Sequence, residues 1–111
     1  MKIIYNRFLP PKGFVAINIC GIVFARQSFN PLSKRTKRHE AIHTHQMVEL
    51  LFVVFYLWYG IEWIARLIQY RNKNEAYRNI SFEREAYAND NDTNYLKRRK
   101  LYAFIRYLKK I

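Results

Sequence analysis

The sequence predicts one α+β domain over residues 1–111, mainly helical. A small N-terminal β-hairpin precedes a helix carrying a histidine motif, a hydrophobic helical hairpin and two further helices. Three observations lead there. The segment up to residue 26 is rich in β-branched and aromatic residues around a turn-like Asn18–Gly21. From Ser33 on, helix caps and helical spacing of apolar residues take over. With 111 residues, half of them hydrophobic and 17% aromatic, the chain has the size and material for one core.

Charge narrows the partners. Twenty Lys and Arg stand against eight Asp and Glu, a net charge of +12. That excess favours polyanions: the anionic face of a membrane or, as the weaker candidate, nucleic acid. The lone Cys20 excludes an intramolecular disulfide and suits a reducing compartment, where it is expected as a small buried apolar residue. Arg7, Pro10, Pro11 and Lys12 interrupt any apolar signal-peptide core. The expected location is the cytoplasm, at the membrane surface.

Taken in order, Ile3-Ile4-Tyr5 is strand-like and Pro10-Pro11 ends it. Residues 14–18 are expected to pair with 22–26 as a hairpin. Asn30-Pro31 marks a loop, and Ser33 or Thr36 caps the next helix. Lys34, Arg35, Lys37 and Arg38 oppose that helix's dipole, and read as a solvated basic turn or as a docking patch for anions. The helix is expected to run through Gln46 and on to Tyr59, with Gln46 on the face of the histidines. Gly60 is the expected break, and 61–70 the returning arm, with Glu62 and Arg66 paired at i,i+4. Trp58, Tyr59 and Trp63 would mark the tip, at a lipid-headgroup level or packed on the strands. The uncharged run from Leu50 to Ile61 is shorter than the roughly 20 residues of a membrane span. Residues 71–81 are a polar connector, Ser81 caps a helix over 82–88, and 95–111 form a basic tail with Leu101, Phe104, Ile105 and Leu108 at helical spacing.

The chemistry concentrates at His39-Glu40-Ala41-Ile42-His43, an HExxH motif. On a helix, positions i and i+4 share a face, so both imidazoles reach one metal and Glu40 can act as base on a water beside it. The expected metal is Zn2+. His45 lies roughly 200° round the helix from His43 and cannot share the ion. The third ligand must come from an acid. Glu49 lies about 9 Å from His43 along the same helix and would reach only if the helix broke near Gln46, Glu62 is matched by Arg66, and Asp90 and Asp92 suit caps and solvent. Asp90-Asn91-Asp92 lacks the Gly and Glu of a calcium loop. Glu75 is possible, as is one of Glu83 and Glu85, which are two apart and cannot both face the metal.

HEAIH at 39–43 followed by Glu83-Arg84-Glu85-Ala86-Tyr87 resembles the gluzincin metallopeptidases, with HExxH on one helix and an ExxA/S-D motif on the next. The chain is also similar to short bacterial HExxH proteins. The resemblance implies a minimal zincin-like fold and a zinc-dependent peptidase acting on a peptide or protein. It implies His39, His43 and Glu83 as metal ligands, Glu40 as the catalytic residue and Ala86 as the small residue between the helices. The family's Asp, which braces the first histidine, falls at Tyr87, whose phenol would be the weaker acceptor. It also implies that a strand such as 22–26 pairs with extended substrate. Tyr87, Tyr95, His45 and Arg84 are candidate oxyanion donors. The alternative functions are an inactive zinc-binding protein and a basic module binding membrane or nucleic acid.

Overall fold

The computed structural model describes residues 2–108. Three strands form one sheet in the order β1-β3-β2: β1 (Lys2–Asn6), β2 (Ala16–Ile19) and β3 (Ile22–Arg26). The expected hairpin is β2–β3, antiparallel with Asn18 opposite Val23, and β1 runs parallel to β3. Its two-residue turn is Cys20-Gly21, both at positive φ (51° and 89°), the geometry that primed hairpin turns require. Cys20 is therefore exposed at the turn, not buried as expected. One face of the sheet buries Val23, Ala25 and Leu32 against Ile3, Tyr5 and Ala16.

Helix α1 (Lys34–Glu49) begins at Ser33, whose hydroxyl accepts from the Thr36 amide at 3.0 Å. It carries the HExxH motif at mid-length. It then ends ten residues earlier than expected. Leu51 and Phe52 adopt φ of 53° and 59°, and the chain turns by 112° into α2 (Val53–Tyr70). Left-handed conformations cost a non-glycine residue on the order of 1–2 kcal/mol each. The bend aims Phe55 into a core of Met47, Leu50, Ile80, Phe82 and Phe104, with Trp58 and Tyr59 packed on its edge. Burying one such ring contributes roughly 1.5–3 kcal/mol, so packing offsets the strain. Gly60, the expected break, lies inside α2. Trp58 and Tyr59 are consequently in mid-helix against the core, not at a tip.

The connector contains a short helix, α3 (Lys73–Arg78), before α4 (Ser81–Asn89). Ser81 is not the cap of α4: its amide and hydroxyl both donate to Glu62, at 2.6 Å each. Glu62 thus anchors the start of α4 from α2, whereas Arg66 stands 3.7 Å from its carboxylate. The tail is not one amphipathic helix. It forms α5 (Tyr95–Arg98) and a 3-10 turn (Ala103–Tyr107). Phe104 is fully buried, while Leu101, Ile105 and Leu108 are exposed. The last residues of the predicted tail, 109–111, lie outside the described residues.

Candidate metal centre

Helices α1 and α4 pack on one another, with Ile42 of α1 and Ala86 of α4 buried together with Tyr95. The crossing brings the Glu83 carboxylate onto the histidine pair. His39 Nε2 and His43 Nε2 each lie 3.1 Å from Glu83 Oε1 and 3.2 Å from one another. All three side chains are buried.

The outer ring nitrogens define what the inner ones present. His39 Nδ1 donates to Asp90 Oδ2 at 3.0 Å. His43 Nδ1 donates to Gln46 Oε1 at 2.8 Å. The Gln46 amide cannot be reversed, because its Nε2 faces two acceptors, Phe82 O and Glu85 Oε1. With both Nδ1 atoms donating, each Nε2 of a neutral ring offers a lone pair. With both rings neutral, two lone pairs and a carboxylate oxygen converge on one buried point, which a proton on His43 or a metal cation can occupy. Donors about 2.0–2.1 Å from a tetrahedral zinc stand about 3.3 Å apart, close to the observed separations. The residues fit such an ion.

The electrostatics agree. Burial alone would depress the His43 pKa, but the Glu83 carboxylate, in ionic contact and hydrogen-bonded, dominates and pushes it up to about 9. Burial alone would raise Glu83, yet His43 and His39 hold it below the usual carboxylate range. The second Glu83 oxygen accepts from the Tyr59 hydroxyl at 2.8 Å. Glu40 is buried beside this triangle and forms, with His39 and His43, a wider group whose ligand atoms lie within 4.8 Å of one another. Burial raises its pKa above 4.5, only partly offset by the two histidines. A carboxylate so tuned is a more capable base near neutrality.

The other candidates are placed elsewhere. Glu75 is exposed on α3, and His45 is exposed on α1. Glu85 turns away from the histidines, into a buried network: Tyr95 donates to it at 2.7 Å, and Arg99 bridges it to Glu49 with 2.5–3.0 Å contacts. Arg84 bonds Asn79. Of the four suggested oxyanion donors, only Tyr87 lines the cleft. It does not hydrogen-bond His39, as the resemblance suggested. Its ring packs edge-on against His39 at 4.5 Å, with the Arg78 guanidinium on it at 4.4 Å.

The brace of His39 is instead Asp90, at the C-terminus of α4. Glu83, Tyr87 and Asp90 are spaced i, i+4, i+7 and share one helix face. Two of the four cations at the start of α1 converge on Asp90: Arg35 Nε on Oδ1 at 2.8 Å and Arg38 Nε on its backbone carbonyl at 2.7 Å. These two arginines tie α1 to α4.

Asn18 is a further residue the sequence reading passed over. It is buried on β2, accepts from the Gly21 amide at 2.9 Å and donates to Glu40 O and Thr44 Oγ1 at 3.0 and 2.8 Å. It fastens the hairpin to the HExxH helix. The signals for Asp90 and Gln46 were helical spacing from the candidate site residues. Asn18 and Tyr59 carried none.

Two cavities meet at this site. One, of about 460 Å3, is largely apolar and includes Ala16, Ile17, Met47, Phe55, Tyr59 and His43. The other, about 480 Å3, is more polar, with Arg35, Asn74, Arg78 and His39. Glu40, Ala16, Phe14 and Tyr77 belong to both. The strand along the cleft is β2, which has β3 on one side only. The strand named from sequence, β3, is paired on both sides and has no free edge.

Compared with protein-family models, curated proteins and solved structures, the chain matches none. The functional reading therefore rests on the site itself.

Proposed function

We propose that this chain is a metal-dependent peptidase, zinc being the metal the donor set suits best. The observation that carries the reading is the convergence of His39 Nε2, His43 Nε2 and Glu83 Oε1 beside a buried carboxylate, at the junction of two cavities. Two histidines and a glutamate leave a fourth position free, the pattern of catalytic rather than structural zinc sites. Zinc bound there supplies Lewis acidity, polarising a carbonyl and acidifying water.

The protein's residues do the rest. Asp90 and Gln46 hold the imidazoles in one tautomer, and Tyr59 orients Glu83. Glu40 removes the proton from the attacking water and returns it to the leaving amine. The free edge of β2 takes an extended substrate backbone as an added strand. Tyr77, common to both cavities, is the phenol we assign as donor to the developing oxyanion. Burial and the nearby Glu83 raise its pKa, so it keeps its proton.

The test is a metal titration combined with one substitution. Purified protein should hold one zinc per chain, and Glu40→Gln should keep the metal while abolishing peptide hydrolysis. Stoichiometric metal without hydrolysis by the unaltered chain leaves the inactive metal-binding alternative. Absence of stoichiometric metal, unchanged by His43→Ala, removes both.

A further inference from the structure

The outer face of α2 is apolar from end to end. Leu57, Ile61, Ile64 and Ile68 recur at helical spacing with 61%, 69%, 57% and 73% of their surface exposed. Val53 and Leu51 extend the stripe round the bend at 68% and 77%. Scattered exposed apolar residues are ordinary, but an unbroken stripe of this length marks an interaction surface. The only charged residues of α2, Glu62 and Arg66, are buried on its inner face, so the stripe carries no charge of its own.

Exposed cations lie on the segments that adjoin α2. The 3-10 turn of the tail packs on α2 through Phe104 and Trp58, with ring centroids 5.1 Å apart. That turn exposes Ile105 and Arg106, the residues just before it expose Lys100 and Leu101, and Arg71 and Lys73 are exposed where α2 ends.

We infer that this face docks on an anionic lipid surface, with α2 lying in the plane of the headgroups. Among the described residues no single helix is long and apolar enough to cross; α1 and α2 together have the length and composition, but they are bent by 112° and α1 carries the buried polar site. Eighteen residues of helix also reach only about 27 Å. The inner face, moreover, must stay on the protein, since Glu62 holds the start of α4 through Ser81. A second copy fits poorly as occupant, because two bodies each of charge +12 repel as their faces approach. An anionic bilayer answers both the stripe and the charge. Trp63, half-exposed on the same helix, suits the interfacial level.

Sedimentation with phosphatidylglycerol–phosphatidylcholine vesicles tests this on the full chain. The protein should bind these vesicles, bind phosphatidylcholine alone more weakly, and lose affinity in high salt. Ile61→Gln with Ile64→Gln should lower the partition coefficient about tenfold or more, with the helical circular-dichroism signal retained. Lys100→Gln with Arg106→Gln should lower it for anionic vesicles only, about fivefold per charge. A folded protein that ignores anionic vesicles overturns the inference. So does binding that both double variants leave unchanged. Concentration-dependent dimerisation abolished by the isoleucine variant would assign the face to a second copy and overturn it as well.

Discussion

The crossing of α1 with α4 and the bend of α1 into α2 are built from the same helix by opposite means. The crossing is held by directed polar contacts. Asp90 grips His39 and both arginines, Gln46 joins His43 to Glu85, and Arg99 ties Glu85 to Glu49. The bend is held by undirected apolar packing around Phe55. Polar contacts specify one geometry and fail sharply when a partner is lost. Apolar contacts tolerate exchange of shape and fail gradually. A metal site needs the first kind of support, and a hinge between helices can use the second.

The contrast is broken most severely at Arg99. Its side chain is 3% exposed, against 5% for Glu49 and 0% for Glu85. Arg99→Met leaves two buried carboxylates without their cation, and should cost about 3–5 kcal/mol in urea unfolding. Adding Glu85→Gln should recover part of that loss. If Arg99→Met proves nearly neutral, the crossing is not held by its polar network.

A smaller and more local effect is expected at the other brace. Asp90→Asn keeps an oxygen for His39 but removes the carboxylate that raises ligand basicity, so zinc affinity should fall about 10–100-fold against a competing chelator. Phe55→Leu, the matching change at the bend, should cost only about 1–1.5 kcal/mol and leave zinc affinity within about twofold. Equal effects of the two substitutions on affinity would erase the distinction between the regions.

Acidity sharpens the same point. In the metal-free protein His43 is raised from 6.5 to about 9, so at pH 7 its ring is protonated and Glu83 is its counter-charge. Zinc bound as proposed would displace that proton. Calorimetry in buffers of differing ionisation enthalpy should show about one proton released per zinc at pH 7, falling towards none above about pH 10. Without metal, the raised His43 contributes stability that is whole below pH 6.5 and lost as pH rises through about 9. The depressed Glu83 contributes stability present above its ordinary 4.5 and lost as pH falls through its lowered value. Both contributions are therefore complete between about pH 4.5 and 6.5. Glu83→Gln should flatten the profile and reduce proton release.

What could be read from the sequence follows the same division. The HExxH pair, Glu40 and the candidate Glu83 were legible because that chemistry demands particular residue types at helical spacing. The β2–β3 hairpin was legible because Cys20-Gly21 lies between two β-rich runs. Asp90 was misassigned because its role depends on where α4 ends. Tyr59 and Asn18 were invisible because each reaches the site from an element whose approach is set by the core. The hinge was misplaced for a related reason. In a stretch apolar on every side, periodicity does not say which residues will be buried, and Phe55 decides it only once Phe82 and Phe104 are in place.

Gly60 supplies the finest test of that account. Local propensity alone would break the helix there, since glycine in a helix interior is about 0.8–1 kcal/mol worse than alanine. The bend occurs instead at Leu51-Phe52, where no local signal exists, and α2 runs through Gly60 without interruption. A Cβ built at Gly60 meets no atom within 4 Å. Gly60→Ala should therefore stabilise the protein, by about 0.5–1 kcal/mol, and leave zinc affinity unchanged. A hinge at Gly60 would give the opposite sign, because alanine would stiffen the point at which the chain must turn. Urea unfolding of this one variant thus decides whether packing around Phe55 or local propensity sets the course of the apolar run.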